Sequence, residues 1–304
     1  MPVKLPEGLP AGPILEQEGV ELFADSDPRR WGIRPLHIAV LNLMPDKLGT
    51  ERQLARLLGS TPTPVELSLM TTETYVPVHA PAGHLDAFYT TWREIRGQPV
   101  DGLIVTGAPL AHLEFEQVRY WRELGTILSW ARQNVPHSMY ICWGAQAALY
   151  HFHGVPRRRL LAKMFGVFPH RIVTPGASVL NGFQDGFWSP VSRHTEIRAD
   201  DLPEQRGLKI LAESSEAGIG LIEDEACRAL YTFNHLEYET DTLDAEYRRD
   251  LAAGKSIHLP EHYYVDDDPG ELPINRWRLY AYLMFSNWIG DIYRSTRLEA
   301  PAVA

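Results

Sequence analysis

The chain has little cysteine: Cys142 and Cys227 are the only two among 304 residues. Two thiols cannot form a disulfide framework or a four-cysteine zinc site. We therefore expect a protein of a reducing compartment, with a core that needs neither disulfides nor a structural metal.

Positive charge is also scarce. Lys and Arg total 29 against 39 Asp and Glu, which gives a formal net charge of −10. This balance argues against a protein that binds nucleic acid or an anionic membrane surface, although it leaves room for a local basic pocket.

Long apolar runs are missing as well. No stretch reaches the ~18 apolar residues of a membrane-spanning helix. The first nineteen residues lack the basic and apolar regions of a signal peptide. We expect a cytoplasmic protein.

Strand and helix patterns alternate through the first half of the chain. Apolar runs at 36–44, 64–72, 100–110 and 138–142 predict strands, and helical spacing appears from Thr50, over 116–132 and over 144–152. This order predicts an α/β fold with a mostly parallel sheet. We expect an N-terminal arm over 1–34, a single domain over 35–296 and a tail over 297–304.

The second half is less regular. We expect antiparallel strands at 164–173 and 209–214, and a return to the main sheet at 227–235. A helix over 242–254 has Asp241 as its candidate N-cap, and the aromatic stretch 275–294 predicts a buried C-terminal helix.

The segment SMYICWGAQAALY, residues 138–150, places Cys142 between a strand and a helix. Ligands of open α/β sheets bind at the carboxyl ends of the strands, and a helix N-terminus favours a thiolate. Strand, nucleophile, tight turn and helix form a nucleophile elbow. A small buried hydrophobe fits this segment equally well. Cys227 has no such turn and is interpreted as a core residue.

A thiol nucleophile needs a base and a group that orients the base. His235 and Glu237 follow a predicted strand and are two residues apart, so they point the same way in an extended segment. They are our candidate base and orienting carboxylate. Candidate oxyanion donors are the backbone N–H groups of Trp143 and of the loop at Gly107 and Ala108.

Five ordered motifs carry a resemblance that spans residues 34–295: LNLMPDKLGTE, DGLIVTGAPL, ICWGAQAALY, PVSRHTE and NHLEYE. Together they resemble the homoserine O-acyltransferases of methionine biosynthesis, the homoserine trans-succinylase family. The resemblance implies a class I glutamine amidotransferase-like (flavodoxin-like) fold with helices on both faces of the sheet and with added antiparallel and C-terminal elements. It also suggests a homodimer.

The resemblance further implies a ping-pong acyl transfer from acyl-CoA to the hydroxyl of L-homoserine. Cys142 would carry the acyl group, His235 would act as base and Glu237 would orient it. Lys163, Ser192 and Arg249 would bind the amino acid, with Arg248 as a rival. Lys47 is a further candidate for contact with the CoA phosphates. Acyl-CoA would be a co-substrate, with no bound cofactor and no metal.

The chain departs from the family pattern at the acyl-donor position. Acetyl-CoA users often carry glutamate there and succinyl-CoA users glycine, whereas this chain has Ala111 followed by His112. A small neutral side chain leaves space for a succinyl group, but the surrounding motifs look more like those of acetyl-using members. The donor stays open between succinyl-CoA and acetyl-CoA.

Other functions also stay open. The base motif reads Asn-His-Leu-Glu-Tyr where many members have Gly-His-Pro-Glu-Tyr. L-Serine is an alternative acceptor, since it differs from homoserine by one methylene, which a pocket separates by only ~1–3 kcal/mol. A glutaminase or amidase on the same fold fits Cys, His and Glu too, and a non-catalytic binding protein is a third alternative.

Overall fold

The computed structural model describes residues 2–24, 34–75, 80–204 and 207–298. Within these ranges the strands are β1 (Pro2–Lys4), β2 (Glu21–Leu22), β3 (Leu36–Leu41), β4 (Val65–Thr71), β5 (Tyr89–Thr91), β6 (Gly102–Val105), β7 (His137–Ile141), β8 (Arg158–Ile172), β9 (Gly186–Glu196), β10 (Leu208–Ser214), β11 (Gly218–Asp224) and β12 (Ala229–Thr232). The helices are α1 (Ala11–Gln17), α2 (Lys47–Gly59), α3 (His84–Phe88), α4 (Trp92–Ile95), α5 (Trp121–Asn134), α6 (Trp143–His153), α7 (Thr242–Ala252) and α8 (Arg278–Leu298).

The described strands join into one sheet in the order β2-β1-β4-β3-β6-β7-β12-β11-β10-β8-β9, with β5 paired to β4. Pairing is parallel from β2 through β12 and antiparallel from β12 through β9. The α/β fold with added antiparallel strands is therefore confirmed, and the carboxyl ends of β6, β7 and β12 lie side by side.

Strand β3 shows why its sequence is continuously apolar. All six of its residues are buried, and alternate side chains belong to different cores. Ile38 and Val40 pack into one core with α2 and α8, whereas Ala39 and Leu41 pack into the other with α5 and α6. The sheet is thus covered by helices on both faces, as the family resemblance implied.

Two helix boundaries differ from the sequence prediction. Helix α2 begins at Lys47 rather than Thr50, because the carboxylate of Asp46 accepts the N–H of Gly49 at 2.9 Å and caps it. Helix α5 begins at Trp121, after a short 3₁₀ turn at Phe115–Gln117, rather than at Glu116. Asp241 does precede α7, but its side chain makes no capping hydrogen bond.

The described part of the predicted N-terminal arm is regular structure rather than an extended segment. Residues 2–24 contain β1, α1 and β2, and β1 pairs in parallel with both β2 and β4. Val3 and Leu15 are fully buried, so this segment extends the main core. The division into arm, domain and tail stays a prediction, and residues 299–304 of the tail lie outside the described residues.

The aromatic stretch at the C-terminus forms α8, the longest helix of the described chain at 21 residues. Its buried side chains include Phe285 and Trp288, and they pack against the same face as α2. Among the residues the model describes, every helix is too short or too polar to cross a lipid bilayer.

Candidate active site

Cys142 sits on a strained turn between β7 and α6. Its backbone has φ 50° and ψ −114°, a conformation that residues with a Cβ rarely adopt. Its N–H donates to the carbonyl of Thr232 at 2.7 Å, so the end of β12 holds the turn. Cys142 is 8% exposed and makes no disulfide. Strain of this kind persists where the surrounding structure over-determines it, which is typical of a nucleophile elbow.

Gly144 lets the elbow approach the neighbouring strand. A Cβ at this position would lie 2.6 Å from the carbonyl oxygen of Thr106 and 2.9 Å from that of Val105. Both distances are shorter than any ordinary contact, so the start of α6 and the end of β6 can meet only through glycine.

His235 and Glu237 lie beside Cys142 after the end of β12. Nδ1 of His235 and Oε1 of Glu237 are 2.5 Å apart, and Cys142 is close enough to raise the pKa of His235. Because Nδ1 faces the carboxylate, Nε2 is the nitrogen available to the thiol. The three predicted catalytic side chains therefore form a buried Cys–His–Glu row, which we call the triad.

The electrostatics of the triad favour a protonated imidazole. Burial opposes the charge of His235, but the charges of Glu237 and Cys142 and the hydrogen bonds to both raise the pKa of His235 to about 10. Tyr238 stacks on the imidazole with ring centroids 4.2 Å apart and thereby fixes the plane of the ring. The indole of Trp277 in turn donates to the carbonyl of Tyr238 at 2.8 Å.

The predicted oxyanion donors border the triad. A Cβ on Gly107 would lie 3.4 Å from Cβ of Cys142 and 3.7 Å from Cε1 of His235, so this backbone passes directly over the pair. Ala108 follows in the same loop. Trp143 is the first residue of α6, and an N–H at that position has no acceptor within its helix.

Lys163 and Ser192 are brought together by a residue that the sequence did not single out, Glu246 on α7. Nζ of Lys163 lies 2.8 Å from Oε1 of Glu246, and the hydroxyl of Ser192 lies 3.0 and 2.9 Å from its two carboxylate oxygens. The side chains of Lys163 and Glu246 are 11% and 18% exposed, so this cluster is partly open to solvent.

Arg249 joins the same cluster and Arg248 does not. Nη2 of Arg249 is 3.6 Å from Oε1 of Glu246 and 2.9 Å from Oδ1 of Asp250. Arg248 pairs instead with Asp244 at 2.8 Å. We call Lys163, Ser192, Glu246 and Arg249 the polar cluster.

Lys47 lies at the carboxyl end of β3 but faces the interior. It is 2% exposed, and Nζ donates to the carbonyl of Asn42 at 2.5 Å. Burial lowers its pKa to about 8. Contact with the CoA phosphates would require this ammonium to reach solvent, and it stays a prediction.

Ala111 and His112 lie in the turn that follows the Gly107 loop. Ala111 is half-buried and His112 is exposed.

Cys227 packs on the α5 and α6 side of the sheet, and burial raises the pKa of its thiol to about 11. That placement matches its interpretation as a core residue.

The described chain holds one group of potential metal ligands, formed by Glu216, Glu261 and His262. All three are exposed, and none belongs to the triad or the polar cluster.

The sequence reasoning missed Glu246, Tyr238 and Arg193. Glu246 precedes Arg249 by three residues on a predicted helix, a spacing that places both on one face and could have indicated it. Tyr238 directly follows Glu237. Arg193 is buried at 5% exposure beside Ser192, and no sequence pattern marks a buried arginine.

Comparison with known proteins places the chain in a family. The family model of homoserine O-succinyltransferase matches residues 2–298. A homoserine O-acetyltransferase of Rhizorhabdus wittichii is 51% identical over 303 residues, which cover 100% of this chain and 94% of that protein. A homoserine O-acetyltransferase of Hyphomonas neptunium is 49% identical over 296 residues, 97% of each chain.

Solved structures support the fold. A glutamine amidotransferase from Thermotoga maritima has a TM-score of 0.59 at 14% identity, covering 86% of this chain and 99% of that one. A glutamine amidotransferase from Methylobacillus flagellatus has a TM-score of 0.53 at 13% identity, covering 85% and 95%. At such identities the likeness concerns the fold alone, and it confirms the class I glutamine amidotransferase-like architecture.

The match to the family model and the identity to curated relatives both extend over nearly the whole chain. The chain belongs to the homoserine O-succinyltransferase family and is a homoserine O-acyltransferase.

Proposed function

We propose that this protein transfers an acetyl group from acetyl-CoA to the hydroxyl of L-homoserine through a thioester on Cys142. The observation that carries the proposal is the row formed by Cys142, His235 and Glu237 at the nucleophile elbow. The product, an O-acylhomoserine, would serve methionine biosynthesis.

The first half-reaction begins with the thiol proton on His235. The sulfur of Cys142 attacks the acyl carbonyl of acyl-CoA, and the new oxyanion is held by the N–H groups of Trp143 and of the Gly107 loop. The intermediate collapses to an acyl-enzyme. The CoA thiolate that leaves takes its proton from the imidazolium of His235.

The second half-reaction uses the imidazole in its neutral form. Acylation removes the charge of Cys142 and its hydrogen bond, both of which raise the pKa of His235. The ring is then free to accept the hydroxyl proton of homoserine while the oxygen attacks the thioester. Collapse of this intermediate releases the ester and restores the thiolate and the imidazolium. One ring thus serves both steps because its basicity changes with the state of the thiol.

The polar cluster would bind the amino acid. The carboxylate of Glu246 suits the α-ammonium group, and the guanidinium of Arg249 suits the α-carboxylate through paired N–H bonds. Lys163 adds positive charge, and Ser192 orients Glu246. In the substrate-free chain these groups pair with one another, so the amino acid would replace interactions that already exist.

The acetyl donor is supported by the names of the relatives that are 47–51% identical to this chain, which are homoserine O-acetyltransferases. Succinyl-CoA is the second candidate. It is favoured by the small, uncharged side chain of Ala111 in the turn beside the oxyanion loop, which leaves space for a second carboxylate.

Purified protein incubated with acetyl-CoA or succinyl-CoA, crossed with homoserine or serine, tests the proposal through the release of free CoA. Mass spectrometry of protein trapped without acceptor identifies the acyl group and its residue. We expect acetylated Cys142 and a rapid reaction with homoserine. Cys227→Ala is the matched thiol control and should behave as wild type.

Normal turnover of Cys142→Ala would reject the covalent route. Succinylated Cys142 would select the second donor, and faster turnover with serine would change the acceptor. Hydrolysis of glutamine without any CoA-dependent reaction would assign the site to an amidase instead.

A further inference from the structure

Arg193 on β9 is a buried cation with no carboxylate among its hydrogen-bond partners in the described part of the chain. Its Nη1 donates to Oδ1 of Asn234 at 2.9 Å and to the carbonyl of Phe233 at 3.4 Å, and its Nη2 donates to the carbonyl of Ala217. All of these acceptors are neutral. Nε has no acceptor among the described residues. A buried guanidinium in such surroundings is costly unless a negative charge lies close by.

The residues that hydrogen-bond to Arg193 supply no negative charge. Asn234 uses its amide Nδ2 to donate to Nε2 of His170 at 2.8 Å, and Nδ1 of His170 faces the carbonyl of Phe168 at 2.9 Å. Burial lowers the pKa of His170 to about 4, so this ring is neutral. Glu196 acts on Arg193 only through its charge, and its own carboxylate pairs with Arg198 at 2.9 Å.

Among the described residues, Cys142 also acts on Arg193 through its charge, and more strongly than Glu196 does. Phe233 and Asn234, which accept from Arg193, directly precede His235 in the chain. The residue before them, Thr232, accepts the N–H of Cys142. Arg193 therefore contacts the segment that carries His235. The same segment hydrogen-bonds to the backbone of Cys142 through Thr232. An ionised thiol, a protonated imidazole and a carboxylate together carry one net negative charge, which one guanidinium offsets.

We propose that the buried guanidinium of Arg193 is the fixed counter-charge of the triad and thereby keeps Cys142 in its reactive thiolate form. It is a positioning residue that acts through charge and touches no reacting atom. Guanidinium suits this role because it stays protonated in an apolar environment where an ammonium or imidazole readily loses its proton. The inference rests on the proposed role of Cys142 as the nucleophile.

Alkylation of Cys142 by iodoacetamide, measured across pH without substrates, tests the proposal directly. Cys227→Ala serves as background so that one thiol is followed. The titratable groups that face the thiol and the guanidinium are His235, Glu237, Tyr238, His170 and Glu196, and they stay unchanged in every variant. Arg193→Lys replaces the guanidinium with an ammonium, which loses the forked hydrogen bonds and gives up its proton more readily when buried. Arg193→Gln loses both the charge and the forked hydrogen bonds.

We expect Arg193→Gln to shift the alkylation profile to higher pH by about one unit, which slows alkylation near neutral pH about tenfold. Arg193→Lys should give a profile between those of wild type and Arg193→Gln, because a buried ammonium keeps its proton less readily than a guanidinium. A wild-type profile for Arg193→Gln would overturn the proposal and leave Arg193 a structural residue. Thermal unfolding of each variant shows that the folded protein is being compared.

Two further variants separate charge from packing. Arg193→Met also removes the charge and leaves no unpaired buried donor, so it gives the same prediction if the glutamine variant folds poorly. Asn234→Gly removes a neutral acceptor but keeps the guanidinium, and its alkylation profile should match wild type. A shifted profile in Asn234→Gly with an unshifted one in Arg193→Met would refute the counter-charge.

Alkylation needs neither acyl-CoA nor an amino acid. A protein that shows the predicted shift but transfers no acyl group would contradict the proposed function and leave this inference intact. Acyl transfer together with identical alkylation profiles for wild type and the Arg193 variants would support the proposed function and contradict the role of Arg193.

Discussion

The hydroxyl of Ser192 lies within 3.0 Å of both carboxylate oxygens of Glu246. It links a strand of the antiparallel half of the sheet to helix α7. The contact orients a carboxylate that no motif of the sequence had indicated, at the point where the proposed acceptor amino acid needs a partner for its ammonium group.

Glu246→Gln should weaken the acceptor step and spare the donor step. Loss of a charge-assisted hydrogen bond costs about 1.5–3 kcal/mol, so we expect the KM for homoserine to rise ~10- to 100-fold. A single burst of CoA release without acceptor should keep its wild-type rate and amplitude. A slowed burst would instead place Glu246 in the chemistry of the thiol.

Arg249→Gln should raise the KM for homoserine by a similar factor of ~10–100, because a paired guanidinium–carboxylate contact is lost. Arg248→Gln is the matched control, since Arg248 is adjacent in sequence but pairs with Asp244. Steady-state kinetics of the two variants show which of the two arginines binds the carboxylate of homoserine. A larger effect at Arg248 would reject the proposed carboxylate site.

Glu237→Gln should lower kcat by about 10²–10⁴-fold, since the amide cannot hold a charged imidazole. It should also change how stability depends on pH. His235 has a pKa of about 10 in the folded chain and an ordinary value of 6.5. Its contribution to stability is therefore complete below about pH 6.5 and is lost as pH rises through 10.

The difference in Tm between wild type and Glu237→Gln should accordingly be largest near pH 6 and should shrink toward pH 10. Thermal unfolding at several pH values measures it. A difference that grows with pH would show that the imidazole is held neutral in the folded chain.

Gly144→Ala should damage both stability and activity. The new methyl group would lie 2.6 Å from the carbonyl oxygen of Thr106, and relief of such overpacking typically costs about 1–3 kcal/mol. Gly97→Ala is the control, because a Cβ there meets nothing within 4 Å. Equal unfolding free energies for the two variants would contradict the tight approach of α6 to β6.

Ala111→Glu tests the donor preference. A carboxylate in this turn would repel the free carboxylate of a succinyl group, so succinyl-CoA turnover should fall at least about tenfold relative to acetyl-CoA turnover, the equivalent of about 1.4 kcal/mol. Ala111→Gln has nearly the same size without the charge and separates repulsion from space. A larger loss with acetyl-CoA than with succinyl-CoA would exclude this turn as the acyl pocket.

The parallel half of the fold could be predicted from sequence because its determinants are local. Continuous apolar runs such as β3, alternating with helical spacing, indicate strands covered on both faces, and Cys142 could be placed at a strand end from the segment alone. The pairing of His235 with Glu237 was predicted for an extended segment. The structure forms it instead in a turn, in which the N–H of Tyr238 donates to the carbonyl of His235 at 3.1 Å.

What the sequence could not supply was long-range pairing. Residues 2–24 add two strands to the sheet through pairing of β1 with β4, some sixty residues away, and no local pattern encodes that contact. The inward direction of Lys47 depends on the carbonyl of Asn42, and the burial of Arg193 depends on acceptors from β12 and from Ala217. Such contacts are properties of the assembled fold.

The backbone of Cys142 has a positive φ that only glycine adopts without penalty, and conformations of this kind cost about 1–3 kcal/mol. Glycine at position 142 would relax the turn and give a more stable but chemically inert chain. Stability therefore favours glycine at position 142, whereas reactivity requires cysteine. In each folded molecule the contacts of the surrounding sheet must offset the conformational cost of placing the sulfur there.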